Sequence, residues 1–315
     1  MKLVRFDGGK TGLLVDGNVI DVGASGVISA YLPGDGTGNW NGMIANWDAV
    51  RGPLQALEAN GAGAVPLASV RLEAPLPDRR NRIIALGANV AAHAVNAFKA
   101  ITGEDFTADH FEKDQRDGLP PWGFLIMPET VVGTGVEVKP EASVQKFDYE
   151  SEAAIILAGG GRRMGADDLK VWGVTAWNDL SIRDGRMGVG PPIHRGAFNW
   201  AMEKNFDTGN ACGPCVVVDE DIDIDNIRCV TRVNGEVRQD WNTTDMIYGF
   251  GETVAFLSQY IEMGPGDIIL SGTGEGTAIE AGVDGDRWLK PGDRIEVEVA
   301  GVGVLENTVG DWQNG

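Results

Sequence analysis

The chain has 315 residues, 43% hydrophobic and 23% charged, with 46 acidic and 26 basic side chains and a formal charge of −20. That balance is ordinary for a globular protein and argues against disorder, while so negative a surface repels phosphate backbones and argues against nucleic acid or anionic membrane as partners. No apolar run reaches the roughly 18 residues of a membrane helix, and the opening MKLVRFDGGKTG lacks the apolar stretch of a secretory leader.

Residues 1–72 read as a small β-rich domain. LVRFD and TGLLVDGNVIDVG are short strands, and Asp16-Gly17 between apolar runs is a hairpin signal. A Gly-rich stretch over 32–41 precedes a helix over 47–60, closed by Gly61. Pro75 and Pro77 mark a linker into a larger unit, residues 73–315. There the predicted strands are RIIALGA, VEVKP, FDYESEAAIILA, VWGVTAWND, CVVVDE, IRCVTRVNGEVRQ, DIILSGT and DRIEVEVAGVGVLEN. Helices are predicted over 91–101, 108–116 and 244–260, the last capped by Thr243 or Thr244. Strands outnumber helices and do not alternate with them. The expectation is therefore an α+β, β-rich fold, a mixed sheet forming a roll or sandwich rather than a doubly wound parallel sheet.

The most informative stretch is KFDYESE, residues 146–152. Side chains alternate along a strand, so Asp148, Glu150 and Glu152 are predicted on one face. Burying three acids together is costly unless a cation sits among them, so that face is either solvated or holds a metal. A further acid, Asp179, ends the otherwise apolar VWGVTAWND, an unusual place for a carboxylate without a partner. Glu150, Glu152 and Asp179 are hard oxygen donors that suit Mg²⁺ or Mn²⁺, with Ca²⁺ also compatible, and do not suit zinc. A lysine or arginine head filling the gap between them would overturn a metal-dependent, enzymatic reading.

DYESE, WNDLSIRD, KNFDTGNACGPCVV, TRVNGEVRQ, GDIILSGT and LKPGDRIEVEVAGVGVLEN follow one another from Asp148 to Asn307, within a likeness that covers roughly residues 82–310. As an ordered set they resemble the fumarylacetoacetate hydrolase family. The resemblance implies a metal held by Glu150, Glu152 and Asp179. It also implies Lys204 and Arg183 near the substrate, Thr273 on a substrate carboxylate, and His93 as the acid/base on a helix after a Gly-x-Asn turn. Where members often carry a Glu three residues after that histidine, this chain has Asn96, which can orient an imidazole but cannot carry charge for it. Glu275 or Glu280 is the expected substitute. Arg186, where Gln is frequent, would favour an anionic substrate. Met127 stands near the place of a common lysine. His110 and His194 have weaker claims than His93.

The implied function is a divalent-metal hydrolase cleaving a C–C bond in a β-diketo acid of the acylpyruvate or fumarylacetoacetate type. His93 would activate water, Asn96 or a distal Glu would orient it, and the metal and Lys204 would stabilise an enolate. The same enolate serves an isomerase, decarboxylase or dehydratase of a 2-oxo or 2-hydroxydienoate acid, as in aromatic catabolism. A non-catalytic module binding Ca²⁺ structurally is the third reading. A homodimer acting on a small anionic 2-oxo acid is implied. Residues 98–120, charged and containing glycine, are a candidate lid.

Other patterns are set aside. Cys212-Gly-Pro-Cys215 has the letters of a redox site but runs into a strand, not a helix N-terminus. Three cysteines make no disulfide framework, which fits a reducing cytoplasm. The acidic run from Asp219 to Asn226 lacks the glycine and the glutamate of a calcium loop, and reads as solvated.

Overall fold

The computed structural model describes residues 1–32, 37–185, 197–218 and 222–312, with the backbone alone at 114–116 and 197–200. Arg186, His194 and the start of the acidic run at Asp219 lie outside them.

The fold is mixed and β-rich. A 12-stranded sheet runs from the N-terminal hairpins through Lys2–Phe6, Asn210–Val218, Val171–Asp179, Ser151–Leu157 and Ile268–Leu270 to Ile83–Leu86, with Gly123–Ile126 at its edge. A 5-stranded sheet joins Glu236–Asn242, Arg228–Val233, Arg294–Val299, Gly303–Val309 and Glu137–Val138. The hairpin at Asp16 and Gly17 has both residues at positive φ, 46° and 76°, as a two-residue turn that matches strand twist requires. Its neighbour Leu3 lies opposite Val216, so the first strands extend the large sheet by backbone bonds.

Every residue of Ser151–Leu157 is buried, because both faces are covered. Ala153, Ile155 and Leu157 pack with Val297, Val299 and Leu305 of the smaller sheet. Ala154 and Ile156 belong to the opposite core with Trp40, Met43 and Leu54. The helix Trp47–Asn60 closes on Gly61 at φ 65° as expected, and buries Val50, Leu54 and Leu57. At about 1.5 to 3 kcal/mol for each large apolar side chain buried, this layer holds the strand ends that carry the acids in a fixed frame.

Two expectations are corrected. Residues 148–152 do not form one strand: Phe147–Asp148 pairs with Ser181–Ile182, and Ser151–Leu157 pairs with Val171–Asp179. The break lies at Tyr149 and Glu150, and the Glu150 amide donates to Asn178 Oδ1. The helix expected over 244–260 begins later, at Phe250–Ser258, after a 3₁₀ turn Thr243–Asp245 capped by Asn242 rather than by a threonine. Asn89 causes the delay. Its carbonyl and side-chain oxygens take the amides of Ile247 at 2.7 Å and Tyr248 at 2.9 Å, which an unbroken helix would need for itself.

Candidate active site

The acids converge because two antiparallel strands end side by side. Ser151 lies opposite Asn178, and the amide of Asp179 donates to Glu150 O at 3.0 Å. Glu150, Glu152 and Asp179 thus each offer an oxygen within 4.8 Å of the others, and they are only 5%, 1% and 1% exposed. The turn after Ile268–Leu270 completes this corner, where the Gly272 amide donates to Glu152 Oε2 at 2.9 Å. Gly272 sits at φ +75°, and a Cβ there would meet Asn89 Cβ at 2.9 Å, so only glycine fits.

Two cations enter the cluster. Lys204, at the end of the helix Ala197–Lys204, places Nζ 2.6 Å from Glu150 Oε2 and 2.7 Å from Asp179 Oδ2. Arg183 bonds the other Glu150 oxygen and places Nε 3.0 Å from Asp148 Oδ2. Asp148 therefore anchors the arginine and also takes the amides of Ala278 and Ile279. The gap expected to be clear between Glu150 and Asp179 is bridged by an ammonium head. That bridge satisfies only part of the cluster. Among the described residues, Glu152 Oε1 and Asp179 Oδ1 are buried without a hydrogen-bond partner.

The charges do not balance either. Among the described residues, Asp148, Glu150, Glu152 and Asp179 are buried with Arg183 and Lys204, four acids against two bases. Burial opposes charge on Glu150, but Lys204 and Arg183 overcome it and hold that carboxyl well below its usual range. Burial, with Asp179 and Glu150 adjacent, pushes Glu152 well above its usual range. Burial likewise raises Asp179 to about 7, although Lys204 opposes the rise. A divalent cation on the two orphaned oxygens and Glu150 would remove the deficit, and three carboxylates are the donors that a hard cation takes. The residues fit such an ion.

His93 stands in the first turns of the helix Ala91–Thr102. Its Nδ1 is 2.7 Å from Glu280 Oε1, on the 3₁₀ turn Ala278–Ala281. Of the two acids expected to stand in for one at position 96, Glu280 rather than Glu275 meets the imidazole. Asn96 bonds that carboxylate rather than the imidazole, donating to Glu280 Oε2 at 3.3 Å and to Glu275 Oε2 at 3.4 Å. The Gly276 amide and the Thr277 hydroxyl saturate Glu280.

Thr273 lies beside the strand end. Its hydroxyl donates to Ser151 O at 3.0 Å and accepts from Gln239 Nε2 at 2.9 Å. His93, Glu150, Arg183, Lys204 and Thr273 line one cleft of about 540 Å³ including its open mouth. Its remaining wall includes Phe98, Ile101 and Trp122. His110 bonds Thr107 in the exposed helical segment, and the Met127 side chain is 46% exposed. The larger cleft around Arg5 and Asp78 lies apart from the acids, and Arg5 is spent there on backbone carbonyls such as Gly9 O.

Sequence reasoning overlooked Gln239, which is 1% exposed and ties Ser151, Thr231 and Thr273 together. Its place as the last letter of TRVNGEVRQ gave no hint of burial. It also overlooked Trp122, although PPWGF, a tryptophan behind two prolines, signals a rigid presentation.

Residues 82–310 match the family model described as the fumarylacetoacetate hydrolase C-terminal domain. The chain belongs to the fumarylacetoacetate hydrolase family. It is 30% identical over 254 residues to the oxaloacetate tautomerase YisK of Bacillus subtilis, covering 79% of this chain and 76% of that one. It is 31% identical over 248 residues to the mitochondrial oxaloacetate tautomerase FAHD2A of Bos taurus, covering 78% and 71%. The crystal structure of maleylpyruvate hydrolase from Sphingobium sp. SYK-6, in complex with manganese(II) and pyruvate, superposes with a TM-score of 0.72 at 26% identity. That match covers 98% of this chain and 99% of the other. These relatives are enzymes, and this fumarylacetoacetate hydrolase family member is one as well, so the ammonium head between Glu150 and Asp179 does not overturn the enzymatic reading as expected. No helix among its described residues is long and apolar enough to cross a membrane.

Proposed function

We propose that the protein cleaves a C–C bond in a β-diketo acid of the acylpyruvate type, in a reaction that depends on Mg²⁺ or Mn²⁺. The observation that carries this reading is the 2.7 Å contact between His93 Nδ1 and Glu280 Oε1, with His93 lining the same cleft as Glu150 and Lys204. Glu280 keeps a proton on Nδ1 and leaves Nε2 to accept one, as a water-activating base requires. Asn96 is a positioning residue that steadies Glu280. Glu150, Glu152 and Asp179 would hold the ion, which supplies Lewis-acid polarisation of a 2-oxo oxygen and stabilises developing negative charge.

His93 takes a proton from water as the water oxygen bonds to the carbonyl remote from the carboxylate. The C–C bond then breaks, its electron pair stays with the pyruvate fragment, and the proton on Nε2 returns to that fragment. Lys204 meets the negative charge that develops on the fragment's oxygen. Thr273 meets the substrate carboxylate once its hydroxyl turns from Ser151 O. Arg183 holds Glu150 in place, and Arg186 is kept as a further contact to an anionic substrate. The catalytic part is taken as residues 73–315, since the family match spans every site residue named here. A homodimer in the cytoplasm is proposed with it, by family resemblance.

A second reading, tautomerisation of oxaloacetate, is favoured by the two curated relatives. It uses His93 to move one proton between carbon and oxygen and needs no water. Rates with acetylpyruvate and with enol oxaloacetate, both with saturating Mg²⁺, separate the two. Release of acetate and pyruvate supports hydrolysis. Absence of release alongside rapid ketonisation of oxaloacetate overturns it.

A further inference from the structure

Two side chains of the strand Glu236–Asn242 reach the turn that carries Thr273. Gln239 and Trp241 are two positions apart, so they share a face of that strand, and they are 1% and 5% exposed. We propose that both are positioning residues for carboxylate recognition. Gln239 turns the Thr273 hydroxyl hydrogen away from itself, and Trp241 lets Ser151 O give that hydrogen up to a carboxylate in the cleft. This rests on the reading above, in which a substrate carboxylate meets Thr273.

The orientation of the Gln239 amide follows from two partners whose roles cannot change. Ser151 N can only donate and lies 3.0 Å from Oε1, whereas Gly274 O can only accept and lies 2.8 Å from Nε2. The Ser151 and Thr231 hydroxyls also donate to Oε1, at 3.2 and 2.7 Å. With the amide so held, Nε2 donates to Thr273 Oγ1 at 2.9 Å. That fixed N–H fills one lone pair of the hydroxyl and bars its hydrogen from that side. The hydrogen points instead to Ser151 O, 3.0 Å away. A hydroxyl that already accepts a hydrogen bond is also the better donor.

Ser151 O does not depend on Thr273 alone. The Trp241 Nε1 hydrogen is shared between Ser151 O and Ser151 Oγ, both at 3.2 Å. When the Thr273 hydroxyl swings to a carboxylate, the indole N–H settles on Ser151 O, and that buried carbonyl keeps a donor. Ser151 Oγ then loses only an accepted bond and still donates to Gln239. Gly274 packs so closely on the indole that a Cβ there would run into its ring. Thr273 lines a cleft that Arg183 and Lys204 also line, and its bond to a carboxylate would be about twice as strong as the neutral bond it replaces.

The test is calorimetric binding of pyruvate to the Mg²⁺-loaded protein in double-mutant cycles, which needs no turnover. Thr273→Val, which removes the hydroxyl and keeps the shape, should weaken binding about tenfold. Gln239→Met should weaken it about threefold to tenfold, but less than about twofold in the Thr273→Val background. With acetylpyruvate its loss should fall in KM. Trp241→Phe keeps every Gln239 hydrogen bond and should show the same dependence on Thr273, so a cycle remains even if Gln239→Met does not fold. For either residue, a loss that adds in full to that of Thr273→Val, or no loss, overturns its positioning role and leaves Thr273 on the carboxylate. Pyruvate bound as tightly by Thr273→Val as by the wild type, or not bound by the wild type, overturns the underlying reading as well.

Discussion

Replacing Glu280 by Gln should disable the base through a forced tautomer. Glu280 Oε2 accepts from the Gly276 amide at 3.0 Å and from Asn96 Nδ2 at 3.3 Å, both donors only. The glutamine must therefore turn its carbonyl oxygen to that side, because an amide NH₂ there would face two N–H groups. Its NH₂ then points at His93 Nδ1, where the carboxylate oxygen had been 2.7 Å away. Nδ1 becomes an acceptor, the ring proton moves to Nε2, and no lone pair is left to take a proton from water. The loss should be that of a general base, about a hundredfold to ten-thousandfold in kcat. The cleft keeps its shape, so KM and 2-oxo acid affinity should stay close to wild type. The assay is Mg²⁺-dependent loss of the enol absorbance of acetylpyruvate, with pyruvate release as a check. If Glu280→Gln kept more than about one third of wild-type kcat, the dyad would have no part in a water-activating step of this size.

Other consequences follow from the buried charges. Arg183→Met leaves Asp148 and Glu150 without their shared guanidinium, and should cost about 3 to 5 kcal/mol in urea denaturation; a loss under about 1 kcal/mol would mean that Lys204 and the surrounding amides suffice. Asp179, raised to about 7, holds a proton in the folded chain that its unfolded form releases near pH 4. The sign is therefore opposite to that of a salt-bridged carboxylate. In EDTA, stability should fall as pH climbs from about 4 through about 7, and Mg²⁺ should restore more of it at high pH than at low pH. A metal-free melting temperature that rises over this range contradicts this. Burial pushes the Cys212 thiol up to about 12, so it should resist thiol reagents near pH 8 until the chain unfolds; reaction in the folded state would show that the strand opens.

Much of this was legible in the sequence because the signals were local. Asp16-Gly17, Gly61 and the apolar run after Glu152 each name their own structure. The convergence of Glu150, Glu152 and Asp179 could be suspected because they border apolar strands, where lone acids are out of place. What escaped depends on distant partners. Strand alternation put Asp148 with the metal acids, but Ala278, Ile279 and Arg183 claim it. Propensity carried the helix back to residue 244, but Asn89, 158 positions before Ile247, takes the amides. Whether Glu275 or Glu280 meets His93 is set by how a 3₁₀ turn packs on a helix, and no spacing rule reaches that.

The account rests on Glu150, Glu152 and Asp179 sharing one ion on which a 2-oxo acid can sit. Titration of the metal-free protein with Mn²⁺, with and without oxalate, tests that most directly when repeated on Glu152→Gln. In that variant the amide oxygen can still accept from Gly272 N, so the fold is retained while one charged donor is lost. A single ion per chain is predicted, bound more tightly when oxalate is present and weakly or not at all in the variant. Mn²⁺ binding that ignored both oxalate and Glu152→Gln would place the ion elsewhere and contradict the account.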